Sequence, residues 1–147
     1  MAPTQTRKAV VAGHSLKSRK RVLEVDDDPD IREMVSKLLL SEGYEVVSAV
    51  HGQDALEKME GGFRPDVILL DLMMPVLNGF DVLRVMRRTP RWSSIPVVIV
   101  SANQGLDLVA RGTAAIISKP FDLDVLLNTV RQLLSRAAAR IPSAAAR

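Results

Sequence analysis

The sequence has 147 residues, of which 47% are hydrophobic and 25% are charged, a composition typical of one globular domain and unlike that of disordered, collagen-like or coiled-coil chains. It contains no cysteine, which excludes disulfides, thiolate zinc sites and cysteine nucleophiles. The net charge of +3 is unevenly divided: residues 1–21 carry six Lys/Arg and residues 131–147 carry four Arg, neither with an acid, while the part between them holds all seventeen acids.

The two ends of the chain therefore differ from its middle. We expect residues 1–19 to form a basic, disordered arm and residues 137–147 to form an Ala/Arg-rich tail, in which the last helix frays into coil. Residues 20–136 are expected to form the folded domain. No apolar run approaches the ~18 residues that a membrane span needs, so the sequence predicts a cytoplasmic protein without a membrane span.

Within the expected domain, the spacing of apolar residues alternates between the strand and the helix pattern. Short runs such as Val22 to Val25 indicate strands, whereas the apolar residues from Ile31 to Leu39 recur at helical spacing, and Gly43 follows that helix. In chain order, the predicted elements are strand 22–25, helix 31–39, strand 44–48, helix 54–59, strand 67–70, helix 79–88, strand 97–100, a short helix within 104–111, strand 115–117 and helix 123–134. Such alternation predicts a parallel sheet with helices on both faces.

Polar residues lie at the ends of four of the five predicted strands. In chain order they are Asp26, Asp27, Asp28, Asp71, Ser101 and Lys119. The carboxyl ends of parallel strands share one edge of the sheet, where ligands bind. Carboxylates without His or Cys favour a hard cation such as Mg²⁺, and a lysine with a hydroxyl suits a phosphoryl group. The pattern therefore predicts phosphoryl transfer to an aspartate.

Four ordered motifs over about residues 20–136 resemble those of the receiver domains of two-component response regulators. The motifs are Val25-Asp26-Asp27-Asp28-Pro29, the run from Pro65 to Pro75 with Asn78-Gly79, Val100-Ser101-Ala102, and Ser118-Lys119-Pro120-Phe121. The resemblance implies a flavodoxin-like α/β fold, with a doubly wound five-stranded parallel sheet of order 2-1-3-4-5. The fourth helix is expected to be shorter than usual in the family.

The resemblance also implies a role for each matching residue. Asp71 is the expected phosphoacceptor, Ser101 would donate a hydrogen bond to the phosphoryl group, and Lys119 would pair with it. The peptide bond between Lys119 and Pro120 is expected to be cis. The implied Mg²⁺ ligands are Asp26, Asp27, Asp71 and the main-chain carbonyl of Met73.

The function implied by the resemblance is that of a stand-alone response regulator. It would take a phosphoryl group from a phosphohistidine on a sensor histidine kinase or a histidine phosphotransfer protein. Such a protein catalyses its own phosphorylation and dephosphorylation, but it is best classed as a signalling protein. Few residues follow the last predicted helix, so no DNA-binding domain is expected, and the signal would pass to a downstream protein that the sequence does not identify.

Other interpretations of the same residues must be weighed. Asp28 and Asp30 fit an N-terminal cap and a first-turn acid of the following helix, and we prefer that interpretation for both. A haloacid-dehalogenase-like phosphatase also uses an aspartate with Mg²⁺, but it needs an acid two residues after the nucleophile, where this sequence has Met73. The alternative function is a pseudo-receiver, a binding module that keeps the fold and does not turn over phosphate.

Overall fold

The computed structural model describes residues 19–102 and 113–145, with side chains as far as residue 136. Over these residues, five strands form one parallel sheet of order β2-β1-β3-β4-β5. The strands are β1 (Arg21–Val25), β2 (Glu45–Ala49), β3 (Val67–Leu70), β4 (Val97–Ser101) and β5 (Ala115–Ser118). The helices are α1 (Pro29–Ser41), α2 (Gly52–Glu60), α3 (Gly79–Arg88) and α4 (Leu123–Ala145). The predicted fold class and strand order are confirmed.

The sheet is covered on both faces, so successive residues of a strand enter two different cores. Leu23 and Val25 pack with apolar residues of α2 and α3 on one face. Val22 packs with apolar residues of α1 and α4 on the other. The whole of β3 and β4 is buried, which explains the uninterrupted apolar runs at residues 67–70 and 97–100.

Helix boundaries follow capping residues that are visible in the sequence. The Asp28 carboxylate accepts hydrogen bonds from the main-chain N–H groups of Asp30 and Ile31, and Pro29 begins α1. This arrangement supports the preferred interpretation of Asp28 as a cap and Asp30 as a first-turn acid. The helix ends before Gly43, whose φ of 93° lies in the left-handed region that glycine adopts without strain.

The C-terminal helix differs from the expectation. It continues to Ala145, through Pro142, instead of fraying into coil after residue 136. Alanine and arginine both have high helix propensity, which favours continuation. The predicted short helix within 104–111 and nearly all of the predicted N-terminal arm lie outside the described residues. Among the helices of the described part of the chain, none is long and apolar enough to cross a membrane.

Candidate functional site

Two buried aspartates lie side by side where the strand order reverses. Val25 and Leu70 are partners in the register of β1 and β3, so the next residues, Asp26 and Asp71, leave the sheet together. The main-chain N–H of Asp71 donates to the carbonyl of Val25 at 3.0 Å, which extends the pairing by one residue. Asp26 is 3% exposed and Asp71 is 5% exposed. Ligands bind at this switch point in doubly wound folds.

Asp27 adds a third carboxylate to the pair. Asp26, Asp27 and Asp71 each offer an oxygen, and these oxygens all lie within 4.8 Å of one another. Asp27 is exposed, so the group opens to solvent on its side. Three carboxylates this close repel one another unless a cation lies among them. An all-oxygen donor set of this size suits Mg²⁺, which binds few carboxylates and keeps several waters.

Lys119 brings a positive charge to the two buried carboxylates. Its Nζ atom lies 2.8 Å from Oδ2 of Asp26 and 3.1 Å from Oδ2 of Asp71. Because β5 runs parallel to β4, its carboxyl end reaches the same edge of the sheet. The Lys119-Pro120 peptide bond is cis, as the resemblance implied. We call Asp26, Asp27, Asp71 and Lys119 the acidic pocket.

Ser101 and Met73 lie at the same edge. Ser101 is the last residue of β4 and is fully buried, and its main-chain carbonyl accepts a hydrogen bond from the N–H of Lys119 at 2.9 Å. The main-chain N–H of Met73 donates to Oδ1 of Asp71 at 3.1 Å, while the Met73 side chain is 59% exposed. The carbonyl of Met73, an implied Mg²⁺ ligand, belongs to the loop that follows Asp71.

Burial and charge act together on the titration of this pocket. Burial raises the pKa of Asp71 above its ordinary value and the charge of Asp26 adds to that rise, although the Met73 N–H and Lys119 oppose it. Burial alone would lower the pKa of Lys119, but its hydrogen bond and charge interaction with Asp26, reinforced by Asp71, raise it. Lys119 therefore stays protonated and positively charged at neutral pH.

The backbone of Gly79 packs directly against the main chain of Asp71 and Leu72, at the start of the loop that follows β3. A Cβ atom on Gly79 would lie 2.5 Å from the main-chain oxygen of Asp71 and 2.8 Å from the Cα of Leu72. The N–H of Gly79 donates to the carbonyl of Leu72 at 3.0 Å. Only glycine fits here, which gives the Asn78-Gly79 motif a packing role beside Asp71.

Sequence reasoning missed one residue that contacts the pocket. The Nη1 atom of Arg32, in α1, donates to the main-chain carbonyl of Asp26 at 2.8 Å. The bond joins a side chain to a backbone group, and residue spacing alone does not establish such a contact. An arginine four positions after the capping Asp28, on a helix that begins at the site, was the available signal.

The fold and the pocket together define a class, the doubly wound α/β domains with carboxylates and a lysine at the switch point. The model of the response regulator receiver domain family matches residues 22–131. The chain therefore belongs to this family, as the motifs predicted.

Two curated relatives of this chain are named as DNA-binding regulators. The chain is 40% identical over 132 residues to the DNA-binding dual master transcriptional regulator RpaA of Synechocystis, an alignment that covers 85% of this chain and 53% of RpaA. It is 38% identical over 122 residues to the DNA-binding response regulator MtrA of Mycolicibacterium smegmatis, covering 80% of this chain and 52% of MtrA. The chain thus spans about half the length of these relatives.

Solved structures of receiver proteins match over nearly their whole length. The chemotaxis response regulator CheY4 of Vibrio cholerae is 33% identical, with a TM-score of 0.72, over 79% of this chain and 99% of CheY4. The response regulator TrrA of Thermotoga maritima, solved in complex with Mg²⁺-BeF, is also 33% identical, with a TM-score of 0.69, over 78% of this chain and 98% of TrrA.

Proposed function

We propose that Asp71 of this receiver domain accepts a phosphoryl group in a two-component phosphorelay. The observation that carries the proposal is the position of Lys119, whose Nζ atom lies within 3.1 Å of carboxylate oxygens of both Asp26 and Asp71. The carboxylate of Asp71 can act as the nucleophile, and the ammonium group beside it can pair with a phosphoryl oxygen. The loop that follows Asp71 adds a main-chain donor at Met73.

The proposed Mg²⁺ ligands are the carboxylates of Asp26, Asp27 and Asp71 and the carbonyl of Met73. The proposal is supported by the grouping of the three carboxylates, by their all-oxygen chemistry, and by the Mg²⁺-BeF complex of the similar TrrA. When bound, Mg²⁺ supplies positive charge to the phosphoryl oxygens. Removal of the Asp27 carboxylate in Asp27→Ala should weaken Mg²⁺ binding severely and abolish phosphorylation, with the fold retained.

The residues of this chain have separate roles in the proposed transfer. A carboxylate oxygen of Asp71 forms a bond to phosphorus as the bond from phosphorus to the phosphohistidine nitrogen breaks, and the imidazole nitrogen keeps the electron pair and takes a proton from solvent. Lys119 pairs with a phosphoryl oxygen, and the Ser101 hydroxyl donates to another. Positioning and charge neutralisation accelerate such a transfer, with little covalent work by other side chains.

The proposed phosphodonor is a phosphohistidine on a sensor histidine kinase or a histidine phosphotransfer protein, in the cytoplasm. The matched residues 22–131 form the receiver domain, so we propose that this part of the chain signals through contacts with a downstream protein. A phosphoryl group on Asp71 changes the charge of the pocket, which can bias a surface between two states. The DNA binding in the names of RpaA and MtrA belongs to those proteins.

Intact-mass measurement after incubation with a small phosphodonor and Mg²⁺ tests the proposal. The wild type should gain one phosphoryl group, and Asp71→Asn should gain none. Asp124→Asn, which changes an exposed aspartate in the first turn of α4, is the matched control and should gain the group as the wild type does. A wild type that gains no mass with any phosphodonor would instead favour the pseudo-receiver.

A further inference from the structure

Arg32 contacts the end of β1 from the first turns of α1. Its Nη1 atom donates a 2.8 Å hydrogen bond to the main-chain carbonyl of Asp26. We infer that Arg32 is a positioning residue of the acidic pocket: by holding this carbonyl, it orients the peptide unit between Asp26 and Asp27 and directs the Asp27 carboxylate toward a bound divalent cation. The inference deepens the proposed function and rests on its Mg²⁺ site.

The two acidic side chains at the end of β1 are held very differently. Asp26 accepts from the Lys119 ammonium on Oδ2 and from the main-chain N–H of Asp28 on Oδ1, at 2.8 and 2.9 Å. Asp27 is exposed, and no hydrogen bond or ion pair to its carboxylate is found within the described residues. The direction of the Asp27 side chain therefore depends on the backbone that carries it.

The backbone at this point is set by one peptide plane. The carbonyl of Asp26 and the N–H of Asp27 belong to the same planar unit, so a group that fixes the carbonyl also fixes the N–H. The orientation of this plane determines ψ of Asp26 and φ of Asp27, and with them the direction of the Cα–Cβ bond of Asp27. Arg32 is the side chain that holds this carbonyl. A charge-assisted bond of this kind is about twice as strong as a neutral one.

Positioning and simple charge effects predict opposite results when Arg32 is replaced. The guanidinium is positive and repels Mg²⁺, so the loss of its charge alone would tighten Mg²⁺ binding. Loss of the hydrogen bond frees the peptide plane and loosens one ligand of an ion that demands near-ideal geometry. The sign of the change in affinity therefore separates the two roles.

The test compares the Mg²⁺ affinity of four full-length proteins by isothermal titration calorimetry. Arg32→Met keeps the aliphatic stem and removes the donor, and it should weaken Mg²⁺ binding about 10-fold, as loss of a group that orients a metal ligand does. Arg32→Lys keeps a charged donor and should restore most of the affinity. Lys37→Met is the matched control, because Lys37 is exposed on the same helix and pairs with Glu33; its affinity should equal that of the wild type.

A second measurement needs neither metal nor phosphate. In metal-free protein, the ¹³C shift of the Asp26 carbonyl and the amide shift of Asp27 report whether the carbonyl accepts a hydrogen bond. Both should move in Arg32→Met, return toward the wild type in Arg32→Lys, and stay unchanged in Lys37→Met. If Arg32→Met fails to fold, the wild type provides the readout: a held guanidinium gives Arg32 resolved Nη resonances, and their absence would overturn the inference.

The outcomes separate this inference from the function on which it rests. If the wild type binds Mg²⁺ and is phosphorylated while Arg32→Met binds Mg²⁺ as tightly or more tightly, only the positioning role is overturned. A wild type that does not bind Mg²⁺ overturns the proposed function and this inference together. Weaker binding in Arg32→Met, recovered in Arg32→Lys with a matching recovery of the Asp26 carbonyl shift, supports the role.

Discussion

The Nζ atom of Lys119 lies 3.1 Å from the Oδ2 atom of Asp71, although 48 residues separate the two in the sequence. The contact exists because β3 and β5 run in the same direction in one sheet, so both residues leave it at the same edge. The same ammonium group also contacts Asp26 at 2.8 Å. The Lys119 ammonium group therefore offsets the repulsion between two buried carboxylates and lies where it can pair with a phosphoryl oxygen on Asp71.

Replacement of that lysine tests both roles. Lys119→Met should reduce the rate of phosphorylation by a small phosphodonor about 100-fold, as loss of a preorganised charge partner does. The rate is measured by mass spectrometry over time at fixed Mg²⁺. Lys58→Met, which removes a half-buried lysine paired with Asp54 on α2, is the control and should keep the wild-type rate. Equal rates of phosphorylation in the two variants would show that Lys119 does not contribute to the reaction.

The packing of Gly79 against the Asp71 main chain gives a second prediction. In Gly79→Ala the new Cβ would lie 2.5 Å from the Asp71 oxygen, so the backbone of the loop must move. We expect a loss of about 1–3 kcal/mol in the free energy of unfolding, measured by urea denaturation, together with slower phosphorylation. Gly61→Ala is the control, because Gly61 has an ordinary φ of −75° at the end of α2 and its new Cβ would come no closer than 3.3 Å to another residue, the nearest atom being the main-chain oxygen of Glu57; a similar loss there would contradict the packing argument.

The lifetime of the aspartyl phosphate depends on access of water to phosphorus. Met73, two residues after Asp71, has an exposed side chain without a hydrogen-bond donor, so it cannot place a water in line for attack. Met73→Asn should therefore dephosphorylate faster than the wild type. The measurement is the decay of the phosphorylated mass after removal of the phosphodonor, with Met34→Asn, an exposed methionine of α1, as control. A decay that does not accelerate would refute the argument.

The alternation of strands and helices predicted a parallel sheet at whose edge Asp26, Asp71 and Lys119 meet, and the resemblance to receiver domains implied the order of the strands. Parallel strands place their carboxyl ends at one edge, so polar residues at those ends must come together. The cap at Asp28 was also predicted from the sequence, since capping depends on neighbouring residues only.

Other features depend on contacts between distant segments and were not predictable. Glu24, within the apolar sequence of β1, is buried where its carboxylate meets Ser36 of α1 and Ser48 of β2. The contact of Arg32 with the Asp26 carbonyl requires the exact turn between β1 and α1. The end of α4 was expected to fray and then become coil around Pro142, whereas the helix continues to Ala145, because helix propensity and a proline have opposite effects there.

Burial of Glu24 makes the stability of the protein depend on pH. Burial raises the pKa of Glu24 to about 7, an effect that the hydrogen bonds from Ser36 and Ser48 only partly oppose. The Oε2 atom is buried without a hydrogen-bond partner in the described residues. The folded state therefore holds a proton that the unfolded state releases near pH 4.5. Stability from this group is full below pH 4.5 and is lost as the pH rises to about 7.

Glu24→Gln should remove this dependence, because glutamine stays neutral at every pH. The free energy of unfolding of the variant should be close to that of the wild type at pH 4. It should exceed the wild-type value at pH 8 by on the order of 2–3 kcal/mol. Urea denaturation without Mg²⁺ at a series of pH values measures the difference. Glu33→Gln, at an exposed position of α1, should show no such trend, and a difference for Glu24→Gln that is constant with pH would contradict the prediction.

Val76 carries backbone strain in the loop between β3 and α3. Its φ is 70°, in the left-handed region, which costs an ordinary residue about 1–2 kcal/mol and is least favourable for a β-branched one. The side chain is 76% exposed, so it gains little from packing in return. The strain is therefore not offset by contacts of this side chain.

Val76→Asn should relieve the strain, because asparagine tolerates this conformation. We expect the free energy of unfolding to rise by about 1 kcal/mol, seen as a higher midpoint of urea denaturation. The free energy of unfolding of Val76→Gly should rise by less than that of Val76→Asn, since glycine loses more conformational entropy on folding. Val125→Asn, at an exposed position of α4 with helical backbone, removes a similar side chain without any strain and should not stabilise. If the midpoint of urea denaturation of Val76→Asn is no higher than that of the wild type, the conformation of Val76 carries no strain.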